Sequence, residues 1–345
     1  MPWRTTKTTY HIWISEVMLQ QTQVDTVIPY FNRFIAQFPT LQSLADADQQ
    51  QVLKAWEGLG YYSRARNLQK AAKQLHYDHK GQFPESYENL QKIPGIGPYI
   101  GAAVTSIAFG NPVPVVDGNV LRVFARVWGI TEDIRLPKVR DEIFDALTPF
   151  IKKSNPSDFN QGIMELGALI CKPKNPSCSI CPLKTHCIAF IQQRTDELPF
   201  KSKKPPTPHH HIAVGVIWKD DQILIGKRKE TQMLGGLWEF PGGKQEEGES
   251  LAQTALREIK EETGLEVEII FPYPPIKHTY THFKITLHAF NCRVISGEPQ
   301  ARSATELKWV HLKDVDQYPF PKANISLLEL IKTQDTQTLP LFTSV

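Results

Sequence analysis

Membrane-length apolar segments are missing from this 345-residue chain. The longest apolar stretch, Ile100–Phe109, is about half a membrane span and is interrupted by Thr105 and Ser106. No secretory signal opens the sequence, and cysteine is scarce at five residues, so a disulfide scaffold is not expected and a reducing, cytoplasmic setting is. Net charge is small as well, at +3, which excludes a strongly polyanionic or polycationic tail protein. The charge is nevertheless uneven: residues 1–211 carry 24 Lys+Arg against 18 Asp+Glu, or +6, and residues 212–345 carry 15 against 18, or −3. A basic first part followed by a mildly acidic second suits a polyanion-binding domain joined to something else. With 41% hydrophobic and 22% charged residues the composition is that of a soluble globular protein, and the length suggests two domains.

The cysteines that are present lie close together. Cys171-x6-Cys178-x2-Cys181-x5-Cys187 holds four of the five within 17 residues. Four neighbouring thiolates form a soft-ligand cage suited to zinc or to iron–sulfur iron. A chain of this size builds its own core, so local disulfide stapling is the weaker reading. Zinc fingers usually repeat a C-x2-C pair, whereas this cluster has one such pair and two long gaps.

Residues 1–191 have helical texture, with apolar spacings of three and four in Gln51–Gly58, Ser63–Leu75 and Lys138–Lys152. Residues 192–211 are expected to be a linker, since Leu198 to His211 contains four prolines and three lysines and ends in three histidines. Those histidines are read as a solvated run, with metal binding as the other option. From residue 212 to 335 the texture becomes strands, among them Ile212–Lys219, Gln222–Lys227 and Lys284–Ile295, with one helix at Ser250–Glu262. Residues 336–345 are expected to be a tail. The fold class is thus multidomain, all-α first and α+β second.

Ile93-Pro94-Gly95-Ile96-Gly97-Pro98-Tyr99 reads as a helix–hairpin–helix: Gly95 and Gly97 permit a tight turn and Pro98 suits the first turn of the next helix. Amides in such a hairpin face a phosphate at the positive end of the helix. An ordinary helix–helix turn is the plain alternative. Val113-Pro114-Val115-Val116-Asp117-Gly118-Asn119 places Asp117 between an extended run and a helix, where position alone makes it an N-cap.

In this order, the hairpin, Asp117 and the four-cysteine loop resemble the endonuclease III/MutY superfamily of DNA glycosylases, whose catalytic domain ends in a [4Fe–4S] loop. The resemblance implies that Cys171, Cys178, Cys181 and Cys187 bind such a cluster. Ser15-Glu16-Val17-Met18-Leu19-Gln20-Gln21-Thr22-Gln23 is similar to the segment typical of the adenine-specific MutY branch, and Val116-Asp117-Gly118-Asn119 also matches that branch. On a helix Glu16, Gln20 and Gln23 share one side, while Val17 and Met18 face a core. From the resemblance, Glu16 protonates the adenine leaving group and Asp117 stabilises the sugar cation, held by Asn119 and Tyr99. Tyr61, in Gly60-Tyr61-Tyr62-Ser63-Arg64, is the implied duplex wedge, with buried aromatic packing as the plain alternative. The resemblance also implies that Gln161, in Phe159-Asn160-Gln161, reads adenine through its amide, and that Trp3, Arg4, Gln20 and Gln21 belong to the same DNA-contacting set. Tyr99 stands where strand-cutting relatives carry a nucleophilic lysine, so base release without strand cleavage is expected.

The second domain contains Gly243-x5-Glu249-x7-Arg257-Glu258-Ile259-Lys260-Glu261-Glu262-x-Gly264, which resembles a complete Nudix box. Glu258, Glu261 and Glu262 at i, i+3 and i+4 form an acidic face able to hold Mg²⁺. MutY proteins carry a MutT-like C-terminal domain that recognises 8-oxoguanine, and Tyr280, Thr281 and His282 occupy the place of the loop that meets the lesion. Together these features imply a monomeric adenine DNA glycosylase acting on double-stranded DNA with adenine opposite 8-oxoguanine or guanine, in the bacterial cytoplasm at the nucleoid. Hydrolysis of 8-oxo-dGTP by the Nudix box is the alternative activity. The family has further residues before its Leu-Pro-Trp-Arg; here Met1-Pro2-Trp3-Arg4 stands in that place, and we expect a truncated start.

Overall fold

The computed structural model describes residues 2–5, 8–203 and 205–338. The side chain of Arg4 and the tail from residue 339 lie outside the described residues. The fold divides into two compact units: residues 1–46 with 67–204, and residues 47–66 with 205–345.

The first unit is helical. Its Thr9–Leu19 helix begins at Thr8, whose side chain accepts the His11 amide, and it buries Ile12, Trp13, Ile14, Glu16, Val17 and Met18. It ends at Leu19, with Gln20 as C-cap and Gln21 at a left-handed φ of 57°. Gln23 instead caps the next helix, Val24–Gln37, so the expected side shared by Glu16, Gln20 and Gln23 is broken after one turn. The chain leaves the helix there because Gln21 adopts a conformation that ends helical hydrogen bonding.

Leu90 and Ile93 are buried on one side of the hairpin, and the Pro98–Phe109 helix follows on the other. Gly95 has φ 74°, and a Cβ there would lie 2.7 Å from Asn67 Cβ, so the turn requires glycine twice over. Gly97 is the N-cap, Pro98 occupies the first helical turn, and Gly110 closes the helix in the left-handed conformation. An extended run then leads to the Gly118–Val127 helix, whose Val120, Leu121, Val123 and Phe124 pack on Val139, Ile143 and Leu147 of the Pro137–Ile151 helix. Each such side chain removed from water contributes about 1.5–3 kcal/mol. The Pro156–Glu165 helix continues as a π-helical turn, Leu166–Ile170, and delivers the chain to Cys171.

The second unit is built on a mixed eight-stranded sheet: β1 (His209–Lys219), β2 (Gln222–Lys227), β3 (Trp238–Glu239), β4 (Gly242–Lys244), β5 (Glu266–Pro272), β6 (Ile276–Thr279), β7 (Lys284–Ser296) and β8 (Glu306–His311). β1 and β7 pair in parallel and the other ladders are antiparallel. The strand begins earlier than the sequence suggests. His209, His210 and His211 pair with Lys284, Ile285 and Thr286, so the expected histidine linker is the first part of β1. Its pairing partner is remote in sequence and invisible to local texture. The Leu251–Thr263 helix, with a Ser250–Gln253 capping box and Gly264 as left-handed C-cap, covers one sheet face through Ala255 and Ile259. The Lys322–Thr338 helix covers the other through Ala323, Leu327, Leu328 and Ile331, and it includes the first residues of the expected tail.

Candidate active site and DNA-contacting residues

Asp117 caps the Gly118–Val127 helix, and it is also half-buried. Its Oδ1 accepts the amides of Asn119 (2.9 Å) and Val120 (2.7 Å), and its Oδ2 accepts Asn119 Nδ2 (2.9 Å). Burial raises its pKa above the ordinary Asp value, opposed by these donors and by Arg122. The N-cap reading and the catalytic reading therefore describe the same geometry: the cap aims a fixed, partly desolvated carboxyl.

Glu16 is only 5% exposed. Tyr99, on the first turn of the Pro98–Phe109 helix, donates its hydroxyl to Glu16 Oε2 at 2.5 Å. Burial pushes the phenol well above its usual value, helped by the charges of Glu16 and Asp117, so it remains a donor throughout the working pH range. The expectation that Tyr99 holds Asp117 is thus corrected: its hydrogen bond goes to Glu16, and Asp117 acts on it through charge alone. Tyr99 thus binds one carboxyl and feels the charge of the other, an arrangement with a proton donor and a fixed negative charge among its groups.

Two sets of supporting side chains escaped the sequence reading. Asn160, 2% exposed, accepts the Val115 amide at 2.9 Å and donates to Val113 O at 2.9 Å and Ser106 Oγ at 2.8 Å. It fixes the extended run that leads into Asp117. Arg122 donates to Asn119 Oδ1 (2.8 Å), Gly167 O (2.7 Å) and Cys171 O (2.7 Å). One turn later, Arg126 donates to Cys171 Sγ (3.3 Å) and to the carbonyls of Lys172 (2.8 Å), Pro173 (3.1 Å) and Leu198 (2.8 Å). The signal for them was two arginines at i, i+4 on an otherwise apolar helix, which need acceptors when buried. A Cβ on Gly167 would come within 2.6 Å of Asn119 Cβ, so the π-helical turn presses closely on the Asp117 cap.

Cys171, Cys178, Cys181 and Cys187 line one pocket together with Val123, Arg126 and Leu183. Burial raises the pKa of Cys178, with further contributions from the charges of Cys171, Cys187 and Cys181. Their charges thus oppose one another's ionisation, and among the described residues no three of these thiols are drawn together as ligands of a single ion.

The Nudix glutamates are arranged differently from expectation. Glu258 Oε1 accepts Arg257 Nη1 at 2.9 Å, and Glu262 accepts the Gly242 amide at 3.0 Å and the Ser303 hydroxyl at 2.7 Å. Glu261 is largely exposed, 3.3 Å from Arg257. Among the described residues no three His, Cys, Asp or Glu side chains converge as ligands of a single ion. Two glutamates of the expected Mg²⁺ face instead accept from Arg257, the Gly242 amide and the Ser303 hydroxyl. Glu239, paired with Arg228, is pushed up to about 7 by burial.

Trp3 is buried, edge-on to Phe31. Gln161 is half-buried and donates to Ser157 Oγ at 2.8 Å. Gln20 is half-buried at the helix end, and Gln21 is exposed. In the second unit, Tyr61 sits at a left-handed φ of 48°, half-buried, and its hydroxyl meets the Thr281 hydroxyl. Tyr280 stacks on Phe283 and is pushed up to about 12 by burial, whereas Thr281 and His282 are exposed. Of the expected lesion loop, it is thus Thr281 and His282 that reach the surface.

A buried acid bonded to a phenol, a capped carboxylate and a glycine hairpin leading into a helix N-terminus are the parts expected of a helix–hairpin–helix base-excision glycosylase. Residues 14–149 match the family described as HhH-GPD superfamily base excision DNA repair protein, and residues 213–330 match the NUDIX domain family. An adenine DNA glycosylase of Buchnera aphidicola (Acyrthosiphon pisum) is 33% identical over 332 residues, spanning 96% of this chain and 93% of the relative. The human adenine DNA glycosylase is 33% identical over 87% of this chain and 64% of its own length. Among solved structures, a thermostable thymine-DNA glycosylase superposes with a TM-score of 0.51 at 27% identity, over 56% of this chain and 88% of that one. The chain belongs to the adenine DNA glycosylase family. Among the described residues no helix is long and apolar enough to cross a membrane.

Proposed function

We propose that this protein releases adenine from double-stranded DNA where it stands opposite 8-oxoguanine or guanine, leaving the strand uncut. The observation that carries this reading is the buried Glu16, held by the Tyr99 hydroxyl at 2.5 Å, together with Asp117 fixed as the cap of the Gly118–Val127 helix. The target nucleotide must leave the stack, at a cost of a few kcal/mol. Glu16 then donates a proton to an adenine ring nitrogen, so that the C–N electron pair departs with a neutral base. General acid catalysis of this kind is typically worth about 10²–10⁴-fold. The sugar left behind is cationic, and Asp117 supplies the opposing charge until water adds. The amides of the Ile93–Gly97 hairpin support binding of a backbone phosphate. Tyr99 carries no amine, which supports a monofunctional reaction without a Schiff base.

Cys171, Cys178, Cys181 and Cys187 would hold a [4Fe–4S] cluster, which would tie their loop into one rigid body. Arg122 and Arg126 connect that loop to the helix capped by Asp117. The C-terminal unit would serve recognition of 8-oxoguanine through Thr281 and His282. A DNA substrate supports a location at the nucleoid, and Glu16, Tyr99 and Asp117 all belong to one chain, which supports a monomer. The test is adenine release from a duplex with adenine opposite 8-oxoguanine, followed by alkali to reveal the abasic site. Release with strands intact before alkali is expected. No release, or strand breakage equal to base loss before alkali, would overturn the reading.

A further inference from the structure

The second unit contains a stretch of chain far in sequence from its sheet. Residues 47–66 belong to this unit by their contacts, and almost every polar side chain they turn to it takes a main-chain group. Gln50 Nε2 donates to Gly236 O at 3.0 Å while its Oε1 accepts the Trp238 indole N–H at 2.8 Å. Lys54 donates to Tyr318 O at 3.1 Å and to Glu57 at 2.6 Å. Glu57 accepts the Phe320 amide at 2.8 Å. The Tyr62 hydroxyl accepts the Gly58 amide at 3.0 Å and donates to Phe320 O at 3.3 Å. Arg66 donates to Gly235 O at 2.5 Å. The 318–320 segment is held from its other side by the Trp238 amide, which donates to Pro319 O at 2.9 Å.

This latch encloses the loop that carries Tyr61. Gly58, Gly60 and Tyr61 all have positive φ, and for tyrosine that conformation is strained and persists only where its surroundings over-determine it. The surroundings are on the same latch. Trp56 Nε1 and Arg64 Nη2 both bind Gly60 O, at 3.0 and 3.2 Å, and Tyr62 holds Gly58. The outcome is that the Tyr61 hydroxyl rests on the Thr281 hydroxyl.

We propose that Gln50, Glu57 and Tyr62 are specificity-determining positioning residues, which fix Tyr61 and Thr281 as one rigid pair of contacts to the base opposite adenine. None of the three has to touch DNA. The inference rests on the reading that Thr281 meets 8-oxoguanine. Without the latch, Tyr61 and Thr281 would each still bind, but the second contact would no longer be preorganised by the first. Discrimination between 8-oxoguanine and guanine would then fall while the basal reaction at Glu16 and Asp117 continued.

The experiment measures single-turnover adenine release from two duplexes, with 8-oxoguanine or guanine opposite adenine, for the full chain and for Gln50→Ala, Tyr62→Phe, Glu57→Ala and Glu57→Gln. Melting temperature and visible absorbance are followed alongside. Each lost neutral hydrogen bond corresponds to about a two- to tenfold effect. The 8-oxoguanine rate should fall by about that factor in Gln50→Ala and Tyr62→Phe, and by about ten- to a hundredfold in Glu57→Ala, whose carboxylate is a charged acceptor, with the guanine rate within about twofold of wild type. Glu57→Gln keeps an acceptor for the Phe320 amide and should restore most of the preference. Equal loss on both duplexes, or an unchanged ratio in a folded variant, overturns the inference. A wild type with no preference for 8-oxoguanine overturns the reading beneath it, and the inference with it. Tyr62 is buried, so Gln50→Ala, at a half-buried position, decides the matter should Tyr62→Phe fail to fold.

Discussion

Asn119→Ala removes one donor to the Asp117 carboxyl, along with the acceptor that Asn119 Oδ1 offers Arg122, which keeps its bonds to the Gly167 and Cys171 carbonyls. Asn119 Nδ2 is the donor to Oδ2, at 2.9 Å, while the backbone amides of residues 119 and 120 bind Oδ1 and survive the substitution. Alanine also retains the Cβ that packs against Gly167. Asp117 already sits above the usual Asp value because burial outweighs its donors. Removing a donor to the anion moves it further in the same direction. A hydrogen bond to a charged group is worth about 1.5–3 kcal/mol, equivalent to about one to two pH units. The reaction needs Asp117 ionised, so the acid limb of the pH–rate profile should move to higher pH by up to that amount. The plateau above it should fall less, since the carboxylate remains charged and capped. Single-turnover adenine release measured from about pH 5 to 9 tests this. An acid limb that stays in place, or moves to lower pH, would refute the assignment of Asp117 as the carboxylate whose ionisation sets it.

The same raised value makes a stability prediction for Asp117→Asn. A carboxyl whose folded pKa exceeds its unfolded one contributes stability at low pH that is lost as pH rises through the folded value. Near neutrality Asp117→Asn should therefore leave the melting temperature unchanged or higher, since Asn also caps helices well, while abolishing base release; a clear fall in melting temperature contradicts this. Borohydride should trap little enzyme–DNA adduct, because Tyr99 offers no amine, and efficient trapping would require a nucleophilic lysine elsewhere. Arg126→Ala removes the donor to Cys171 Sγ and the ties to Lys172, Pro173 and Leu198. It should lower iron content below about four per chain and speed bleaching of the visible band; wild-type retention would show the loop to be self-sufficient.

The two fold classes and the family were legible in the sequence because their signals are local. Hairpin glycines, the Asp117 cap, the cysteine spacing and the Nudix helix each occupy fewer than about thirty consecutive residues, within which turn and helix chemistry act. What was not legible depends on approach between distant segments. Tyr99 finds Glu16 across 83 residues, Asn160 reaches Val113 across 47, and Arg122 reaches Cys171 across 49. None of these pairings leaves a periodic trace. The histidine run failed as a linker for a related reason: polar residues next to prolines look unstructured until a parallel strand pairs with them. The Nudix glutamates marked their helix correctly, but which groups they bind is decided by Arg257, the Gly242 amide and Ser303 around them. The latch on residues 47–66 was hidden most completely, since its acceptors are largely backbone atoms that any sequence possesses.

The central claim is that Glu16 delivers the proton that lets adenine leave. The most direct test compares wild type with Glu16→Gln in single-turnover release of adenine from a duplex bearing adenine opposite 8-oxoguanine, with binding to the same duplex measured in parallel. An amide keeps the size and the Tyr99 contact but cannot donate a carboxylic proton. The account predicts binding within a few-fold of wild type and a loss of release of about 10²-fold or more. Release at the wild-type rate by a tightly bound Glu16→Gln variant would contradict it.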